Sequence, residues 1–530
     1  MSESRVEEVD RANVDRSVVA AAEIEAAEIA RAPWRIFASR PVLAVLGVAV
    51  LGYGLSFAPP PWNRLALLGE RPAPSEQDRA AQERAERERA SSGSALSAAD
   101  RPAEEHVGEV ELSGESRALP GMAAPEGPAA APTAAVPLFG GQRESDEPEG
   151  HDKPPVSLLL PRPDVLDHFF AALLRTERKA PGAVTRIAHF GDSIVVSDYV
   201  SGTLRRRLQD TFGDAGHGYM LIANPWPAYF HNDVFRFATS GFRVSRIVGP
   251  TTEDGFYGLG GVTFRASDGV VAEFGTAEKG DHGARASRFV VSYLQSPGAG
   301  HLLLRADGGE TVDVDTNGPK QVARHELRLS DGPHRIEMKV RGGETRTFGV
   351  VLERDGPGVV LDALGVQGAR IRFLDKQDDA HFAEELKWRD PALVVFQFGA
   401  NESGDGYAYP MDQYLATMKA VITQSQAALP HASCLIVGAM DRARVEEGVT
   451  TSMRIIQLII AEQRRAAEQL GCAYFDTYES MGGWGSMPAW VKRGLGQADM
   501  THPTGMGAER IAGWIYGALM QQYDVYRRSH

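Results

Sequence analysis

The 530-residue chain predicts an α/β fold with a doubly wound parallel sheet, which an inserted all-β sandwich interrupts. Three observations carry this prediction. Strand and helix patterns alternate after residue 359, as in doubly wound sheets. The segment 393–398 is almost continuously apolar, as expected of a parallel strand buried on both faces. A first apolar run at 185–190 leads into a helix pattern with Leu204, Leu208 and Phe212 at four-residue spacing.

The sandwich is predicted over residues 250–358, where short alternating segments are separated by turn pairs such as Asp268-Gly269 and Asn317-Gly318. Strands are expected at 270–274, 288–294, 301–305, 311–315, 325–329, 334–340 and 347–352. So many short strands in succession are typical of a β-sandwich. The insertion divides the α/β domain into a first part, 161–249, and a second part, 359–530.

The elements of the α/β domain follow from apolar periodicity and from turn residues. Helices are predicted at 164–176, 379–388, 411–428 and 452–470, strands at 434–437 and 473–475, and a last helix from about Gly505. Because the strands are expected to be parallel, their carboxyl ends share one edge of the sheet, where open α/β sheets bind ligands.

Three further segments are predicted before the folded part. Residues 1–40 form an N-terminal cytoplasmic tail, the uncharged apolar run at 41–59 forms a transmembrane helix, and the Ala-, Pro- and Glu-rich stretch 60–160 forms a disordered linker. A cleaved signal peptide and a buried helix are the alternatives for the apolar run. The forty preceding residues argue against the former, and the missing amphipathic period argues against the latter. A slight excess of arginine before the run favours a cytoplasmic N-terminus.

Composition excludes several functions. The net charge of −14, without a basic block, argues against a nucleic-acid partner. Cys434 and Cys472 lie in apolar segments without metal-ligand spacing, so we expect buried free thiols and neither a disulfide nor a zinc site. The chain has no G-x-S-x-G elbow, no P-loop and no H-E-x-x-H motif.

A serine, a histidine and an aspartate follow predicted strands or precede the last helix. Ser193 ends Gly191-Asp192-Ser193 after the first strand, and Asp499 and His502 lie three residues apart near the C-terminus. A serine hydroxyl becomes nucleophilic when a base takes its proton and a carboxylate orients that base. We therefore predict Ser193 as the nucleophile, His502 as the base and Asp499 as its partner. Taken singly, Ser193 also fits a helix cap, and the other two fit an ordinary turn.

Acyl transfer also requires donors for the negative charge that develops on the carbonyl oxygen. The backbone N–H of Ser193, the backbone N–H of Gly368 and the side-chain amide of Asn401 are the predicted donors of this oxyanion hole. Gly368 also fits an ordinary turn glycine.

These residues occur in four blocks, Gly191-Asp192-Ser193, Gly368, Gly399-Ala400-Asn401-Glu402 and Asp499-Met500-Thr501-His502, which resemble those of the SGNH (GDSL-like) hydrolase family. The resemblance implies the same roles for these side chains and a flavodoxin-like form of the doubly wound sheet. Glu402 departs from the commoner Gly-x-Asn-Asp form. With the inserted β-domain, it is similar to the peptidoglycan O-acetylesterase branch, whose insertion resembles carbohydrate-binding jelly rolls.

The resemblance implies a serine esterase that removes O-acetyl groups from a cell-envelope polysaccharide, most simply peptidoglycan, without a cofactor or metal. The alternatives are a polysaccharide O-acetyltransferase with the same triad and a catalytically idle glycan-binding envelope protein. The expected location is the bacterial inner membrane, with a single span and the catalytic domain on the periplasmic side. Trp226, Tyr229 and Phe230 are predicted to offer aromatic faces to a sugar, with core packing or a loop lid as alternatives. The sequence leaves the oligomeric state open.

Overall fold

The computed structural model describes residues 154–446 and 448–530. The predicted tail at 1–40, the predicted membrane helix at 41–59 and residues 60–153 of the predicted linker lie outside the described residues. Within the described part, no helix combines the length and the apolar character that a membrane span needs.

The first part of the α/β domain contains helix α1 (Asp167–Glu177), strand β1 (Val184–Gly191), the short helix α2 (Ser193–Val196) and helix α3 (Tyr199–Phe212). The chain joins the fold before residue 161, where the linker was predicted to end. Leu158 is buried, and the backbone of Leu159 pairs with that of Tyr474. The end predicted for the linker is therefore too late.

The inserted domain is a sandwich of two antiparallel sheets. Its strands are β2 (Gly218–Met220), β3 (Val234–Ala238), β4 (Arg243–Arg246), β5 (Val262–Ala266), β6 (Val271–Thr276), β7 (Ala286–Gln295), β8 (His301–Ala306), β9 (Thr311–Asp315), β10 (Gln321–Gly332), β11 (Arg335–Arg341) and β12 (Thr345–Glu353). One sheet has the order β10-β7-β12-β5-β4, with β2 paired to β12, and the other has the order β3-β6-β11-β8-β9. Because β3 and β4 belong to these sheets, the sandwich begins before residue 250, the start predicted from the sequence.

The second part of the α/β domain resumes after the sandwich. Its helices and strands are β13 (Gly358–Gly365), α4 (Asp379–Arg389), β14 (Leu393–Gln397), α5 (Met411–Ala428), β15 (Ser433–Val437), β16 (Ala443–Glu446), β17 (Val449–Ser452), α6 (Arg454–Leu470), β18 (Ala473–Phe475), α7 (Thr477–Met481), α8 (Ser486–Lys492) and α9 (Gly505–Ser529). Two 3₁₀ segments, Ile371–Lys376 and Glu402–Ala408, follow β13 and β14.

The central sheet is parallel and has the strand order β13-β1-β14-β15-β18. Numbered within the sheet alone, this is the 2-1-3-4-5 order of flavodoxin-like folds, so the predicted fold class is confirmed at this level. The next strand of this sheet along the chain, β13, lies on one side of β1, and all later strands of the sheet lie on its other side, beginning with β14. The strand order therefore reverses at β1. The carboxyl ends of these three strands therefore border the crevice in which such folds bind ligands.

A buried cluster of charges joins the sandwich to the α/β domain. Glu353 at the end of β12 accepts hydrogen bonds from Arg186 on β1 and from Arg288 on β7, at 2.7–3.0 Å. Arg389 on α4 lies 2.9 Å from Glu353 and also binds Asp362 on β13. The guanidinium groups hold the pKa of Glu353 well below its usual range, although burial acts in the opposite direction. Charges from both domains thus neutralise one another at the junction.

The two cysteines form a disulfide, which corrects the prediction of free thiols. Both side chains are buried, as expected. The pairing follows from the sheet, because β15 and β18 are neighbours and Leu435 lies opposite Ala473. The preceding residues, Cys434 and Cys472, therefore face each other across the two strands, with Cα atoms 4.6 Å apart.

Candidate active site

The turn after β1 presents Ser193 at the carboxyl edge of the sheet. Asp192 caps helix α2, because its carboxylate accepts the N–H of Ile194 at 3.1 Å. Ser193 is thus free of the capping role that its sequence context also allowed. Gly191 is needed because a Cβ there would lie 2.3 Å from the Val195 Cγ2 atom. The tight turn leaves the Ser193 side chain partly exposed.

Ser193, His502 and Asp499 form a continuous hydrogen-bonded chain. Ser193 Oγ lies 2.7 Å from His502 Nε2, and His502 Nδ1 lies 2.6 Å from Asp499 Oδ2. Because the carboxylate accepts the Nδ1–H, Nε2 keeps its lone pair for the serine proton. The side chains of His502 and Asp499 are 33% and 34% exposed, so the relay is open to a ligand. The structure brings together the three residues that the sequence singled out.

The loop that carries the base is held by Asp499 itself. Its Oδ1 atom accepts the backbone N–H groups of Thr501 and His502, at 2.9 and 3.0 Å. Met500, between them, adopts a left-handed backbone with φ of 58°, which is unusual for a residue with a side chain. Asp499 therefore has both roles that the sequence allowed. Its Oδ1 atom closes the turn, and its Oδ2 atom binds the imidazole.

The charges around the relay make His502 a stronger base. Burial lowers the pKa of His502, but the hydrogen bond and the charge of Asp499 outweigh this effect, so that the pKa is raised above its ordinary value. Burial acts to raise the pKa of Asp499, yet its bonds to His502 and Thr501 lower it to about 2. Asp499 therefore stays ionised and stabilises the imidazolium that forms when Ser193 is deprotonated.

Gly368 and Asn401, the other predicted donors, follow the two strands that flank β1. Gly368 lies after β13 with φ of 76°, and a Cβ there would meet no atom within 4 Å, so the space beside it is open. Asn401 follows β14, and its amide nitrogen donates to Ala369 O at 3.0 Å and makes a longer contact of 3.4 Å with Asp192 Oδ2. Among the described residues, the N–H groups of Ser193 and Gly368 have no hydrogen-bond acceptor.

Two buried carboxyl groups support these turns, and sequence reasoning assigned neither of them. Glu402 is 1% exposed, and its Oε1 atom accepts the N–H of Ile371 at 2.8 Å, which ties the Asn401 turn to the Gly368 turn. Its Oε2 atom has no partner among the described residues. Burial raises the pKa of Glu402 to about 7 and that of Asp192 to about 6. Glu402 therefore carries its proton below neutral pH and shares the two forms near pH 7.

Arg442 is a further residue at this edge that sequence reasoning missed. It follows β15, and its guanidinium donates to Ala400 O and Ser403 Oγ, both at 2.8 Å, and to Thr501 Oγ1 at 3.0 Å. Its position in the sequence could have indicated this role, because a charged residue shortly after a parallel strand lies at the ligand-binding edge of the sheet. The hairpin β16–β17 directly after Arg442 was also not predicted.

A small cavity of about 30 Å³ lies beside the relay. Its walls include Ser193 and His502 together with Ile194, Ser197, Tyr199, Gln497, Pro503 and Ala508. A volume of this size holds about one or two water-sized groups. A larger cavity of about 200 Å³ lies elsewhere, beside Ser433 and Cys434 at the amino end of β15, and contains none of the predicted site residues.

The predicted aromatic sugar-binding residues do not form an open platform. Trp226 and Tyr229 are only 7% and 4% exposed and belong to the core, so the prediction is wrong for these two. Tyr229 accepts the N–H of Leu221 at 2.8 Å and packs under Arg236, while Trp226 packs near Arg246. Phe230 is partly exposed, and its N–H donates to Val196 O at the end of α2. Core packing, which the sequence analysis gave as an alternative, is therefore the role of Trp226 and Tyr229.

No group of three or more histidine, cysteine, aspartate or glutamate residues in the described part of the chain is arranged to hold a metal ion. The arrangement at the sheet edge suffices for acyl transfer through a serine: a nucleophile, a base, a carboxylate and nearby N–H donors.

Comparison with known proteins agrees with the geometry. Residues 337–510 match the model of the GDSL-like lipase/acylhydrolase family. The match contains Gly368, Asn401, Asp499 and His502, whereas Ser193 precedes it on the other side of the sandwich. Comparison with curated protein sequences gave no match.

Several solved structures resemble the chain. A peptidoglycan O-acetylesterase is 23% identical, with a TM-score of 0.59 over 69% of this chain and 99% of the other. A family two carbohydrate esterase from Cellvibrio japonicus is 13% identical, with a TM-score of 0.23 over 55% and 98%. An acetylxylan esterase from Geobacillus stearothermophilus is 17% identical, with a TM-score of 0.23 over 32% and 73%. The first of these similarities supports the fold. The TM-scores of the other two are too low to support a conclusion.

Fold, site and the family match over residues 337–510 together support an esterase-type serine hydrolase that resembles the GDSL-like family. The predicted resemblance to this family is confirmed, and the likeness to a peptidoglycan O-acetylesterase extends it at the level of the fold.

Proposed function

We propose that the protein is an O-acetylesterase that acts on an acetylated cell-envelope polysaccharide, with Ser193, His502 and Asp499 as its catalytic residues. The observation that carries the proposal is the relay from Ser193 Oγ through His502 to Asp499, at 2.7 and 2.6 Å. The likeness of the fold to a peptidoglycan O-acetylesterase supports peptidoglycan as the first substrate to test.

In the proposed first half-reaction, His502 Nε2 takes the proton of Ser193 while Ser193 Oγ bonds to the acetyl carbon. The carbonyl oxygen becomes an oxyanion, which the N–H groups of Ser193 and Gly368 and the amide of Asn401 stabilise. The Asn401 amide exchanges its long 3.4 Å contact with Asp192 for the oxyanion. The bond to the sugar oxygen then breaks, and the sugar alkoxide takes the proton from His502.

In the second half-reaction, water attacks the acetyl-enzyme and gives its proton to His502. The oxyanion forms again, the bond to Ser193 Oγ breaks, and the proton returns to the serine. Acetic acid leaves and ionises at neutral pH. The partly exposed side chains of Ser193 and His502 give water a route to this intermediate.

The small cavity of about 30 Å³ beside Ser193 and His502 favours a short acyl group. A methyl group fits such a volume, whereas a longer chain requires its walls to move. We therefore propose acetyl as the natural acyl group.

The location proposed is the periplasmic side of the bacterial inner membrane, with residues 41–59 as a single-pass anchor and 60–153 as a tether. The uncharged apolar run supports the anchor. The disulfide between Cys434 and Cys472 supports an oxidising compartment such as the periplasm. Protease added to intact spheroplasts should reach the catalytic part and leave residues 1–40 protected; the reverse pattern contradicts the topology.

The function is tested by acetate release from acetylated peptidoglycan, acetylated xylan and other acetylated glycans, with the purified protein and with its Ser193→Ala variant. We expect release from peptidoglycan that depends on Ser193. Faster acetyl transfer to added glycan acceptors than to water would instead assign the O-acetyltransferase reaction. Glycan binding without release of acetate from any of these substrates would favour the idle binding protein.

A further inference from the structure

Arg442 links the loop that carries the predicted oxyanion donor Asn401 to the loop that carries the predicted base His502. Its Nη1 atom donates to Ala400 O and Ser403 Oγ, which flank Asn401 and Glu402 in the turn after β14. Its Nε atom donates to Thr501 Oγ1, in the residue directly before His502. One planar group therefore contacts the neighbours of the predicted oxyanion donor and of the predicted base.

The charge of Arg442 has no carboxylate partner within 4.0 Å among the described residues, although buried charges are usually paired. The other arginines near the site differ in this respect. Arg370 and Arg372 both pair with Asp405, and Arg444 pairs with Glu446. Arg442 is only partly exposed, and burial lowers its pKa, against the opposite effects of Asp499 and Asp192. Its neutral hydrogen-bond partners indicate a role other than surface ion pairing.

We propose that Arg442 is a positioning residue of the active site, which fixes the Asn401 turn against the His502 loop and places one positive charge beside the relay. This inference rests on the proposed function and deepens it. The guanidinium suits the role because its rigid, planar fork fixes the relative position of the groups that it contacts, whereas a lysine offers only a point charge on a flexible stem. A misplacement of about 1 Å between reacting groups can cost about 10²-fold in rate.

The charge adds an electrostatic effect that can be measured separately. The charged groups that act on His502 are Asp499 on its own loop, Asp192 on the turn after β1, and Arg442 on the turn after β15. The two carboxylates raise the pKa of His502, and Arg442 lowers it. Removal of the positive charge should therefore raise this pKa and move the acid limb of the pH–rate profile to higher pH.

The test compares kcat, KM and pH–rate profiles of the full-length protein on p-nitrophenyl acetate for Arg442→Gln and Arg442→Lys. We expect Arg442→Gln to lower kcat about 10²-fold, to change KM less than threefold and to move the acid limb to higher pH. Arg442→Lys keeps the charge but loses the fork, so its kcat should stay low while its acid limb stays at the parental pH. A merely structural role would not separate the two variants in this way.

Arg444→Gln is the matched control, since it removes an equal charge two residues away from an exposed side chain paired with Glu446. It should keep the parental kcat and pH profile. Thr501→Val, which removes the acceptor of Arg442 Nε together with the hydroxyl's bond to Asp499 O, covers the case in which Arg442→Gln does not fold. It should lower kcat without moving the acid limb.

A kcat within threefold of the parent in Arg442→Gln and Thr501→Val, or an equal loss in Arg444→Gln, overturns the proposal. These outcomes are distinct from a failure of the proposed function itself. In that case Ser193→Ala would retain the parental activity on the same substrate.

Discussion

Ser193 and His502 are separated by 309 residues in the sequence, yet their side chains meet at 2.7 Å. The two segments meet because β13 and β14, which follow the sandwich, pair with the two sides of β1 and complete one parallel sheet around it. The insertion therefore leaves the carboxyl edge intact. A domain of eleven strands is accommodated without displacing the nucleophile from its base.

Asp499→Asn tests the carboxylate of the relay. Asp499 raises the pKa of His502, so its loss should move the acid limb of the pH–rate profile to lower pH. The rate should fall about 10²- to 10⁴-fold, because an asparagine no longer selects the Nδ1–H tautomer or stabilises the imidazolium. Steady-state rates on p-nitrophenyl acetate from pH 5 to 9 measure both effects. The exposed Asp412→Asn is the control, and a parental rate in Asp499→Asn would mean that another group orients the base.

Glu402→Gln tests the buried carboxyl group behind the oxyanion turn. Because burial raises the pKa of Glu402 to about 7, the protonated acid stabilises the folded protein at low pH, and this contribution is lost as the pH rises through that value. A glutamine keeps an acceptor for the N–H of Ile371 and carries no charge. The melting temperature of the variant should therefore fall less than that of the parent between pH 5 and pH 9.

Thermal melts at a series of pH values, with the exposed Glu468→Gln as the matched control, decide this point. Parallel curves for the parent and Glu402→Gln would show that the group is ionised throughout and that its raised pKa is wrong.

Glu353→Ala tests the junction between the sandwich and the α/β domain. The change leaves Arg186 and Arg288 without their buried carboxylate and deprives Arg389 of one of its two. Loss of one member of a buried ion cluster commonly costs about 3–5 kcal/mol in the free energy of unfolding. Urea unfolding should show a loss of this size. The exposed Glu344→Ala, which removes a partner of Arg243, should cost at most about 1 kcal/mol; equal effects of the two changes would exclude a special role for the junction.

Much of the fold could be predicted because its signals are local. Each of the seven strands predicted between 270 and 352 falls on one of the strands β6 to β12, since alternation and turn pairs mark such strands directly. The predicted helix Met411–Ala428 is observed with the same bounds. The candidate nucleophile, base and carboxylate were recognisable because each lies in a short motif at the end of a strand or before a helix.

The missed features depend on which segments become neighbours. The disulfide requires that β15 and β18 be adjacent and in register, which no pattern around Cys434 or Cys472 reveals. Trp226 and Tyr229 lie in a segment rich in aromatic residues, and only the packing of the sandwich shows that they are buried. Arg442 acts between two loops that lie 101 residues apart, at Ala400 and Thr501, so its contacts have no local signature.

The proposed reaction requires that Ser193 carry the acetyl group during hydrolysis. The most direct measurement is acetate release from acetylated peptidoglycan by the purified protein and by Ser193→Ala, with equal folding of the two verified by circular dichroism. The alanine variant should lose at least about 10³-fold in rate, because direct attack by water cannot replace the nucleophile. Acetate release at the parental rate by the folded Ser193→Ala protein would contradict the proposed reaction.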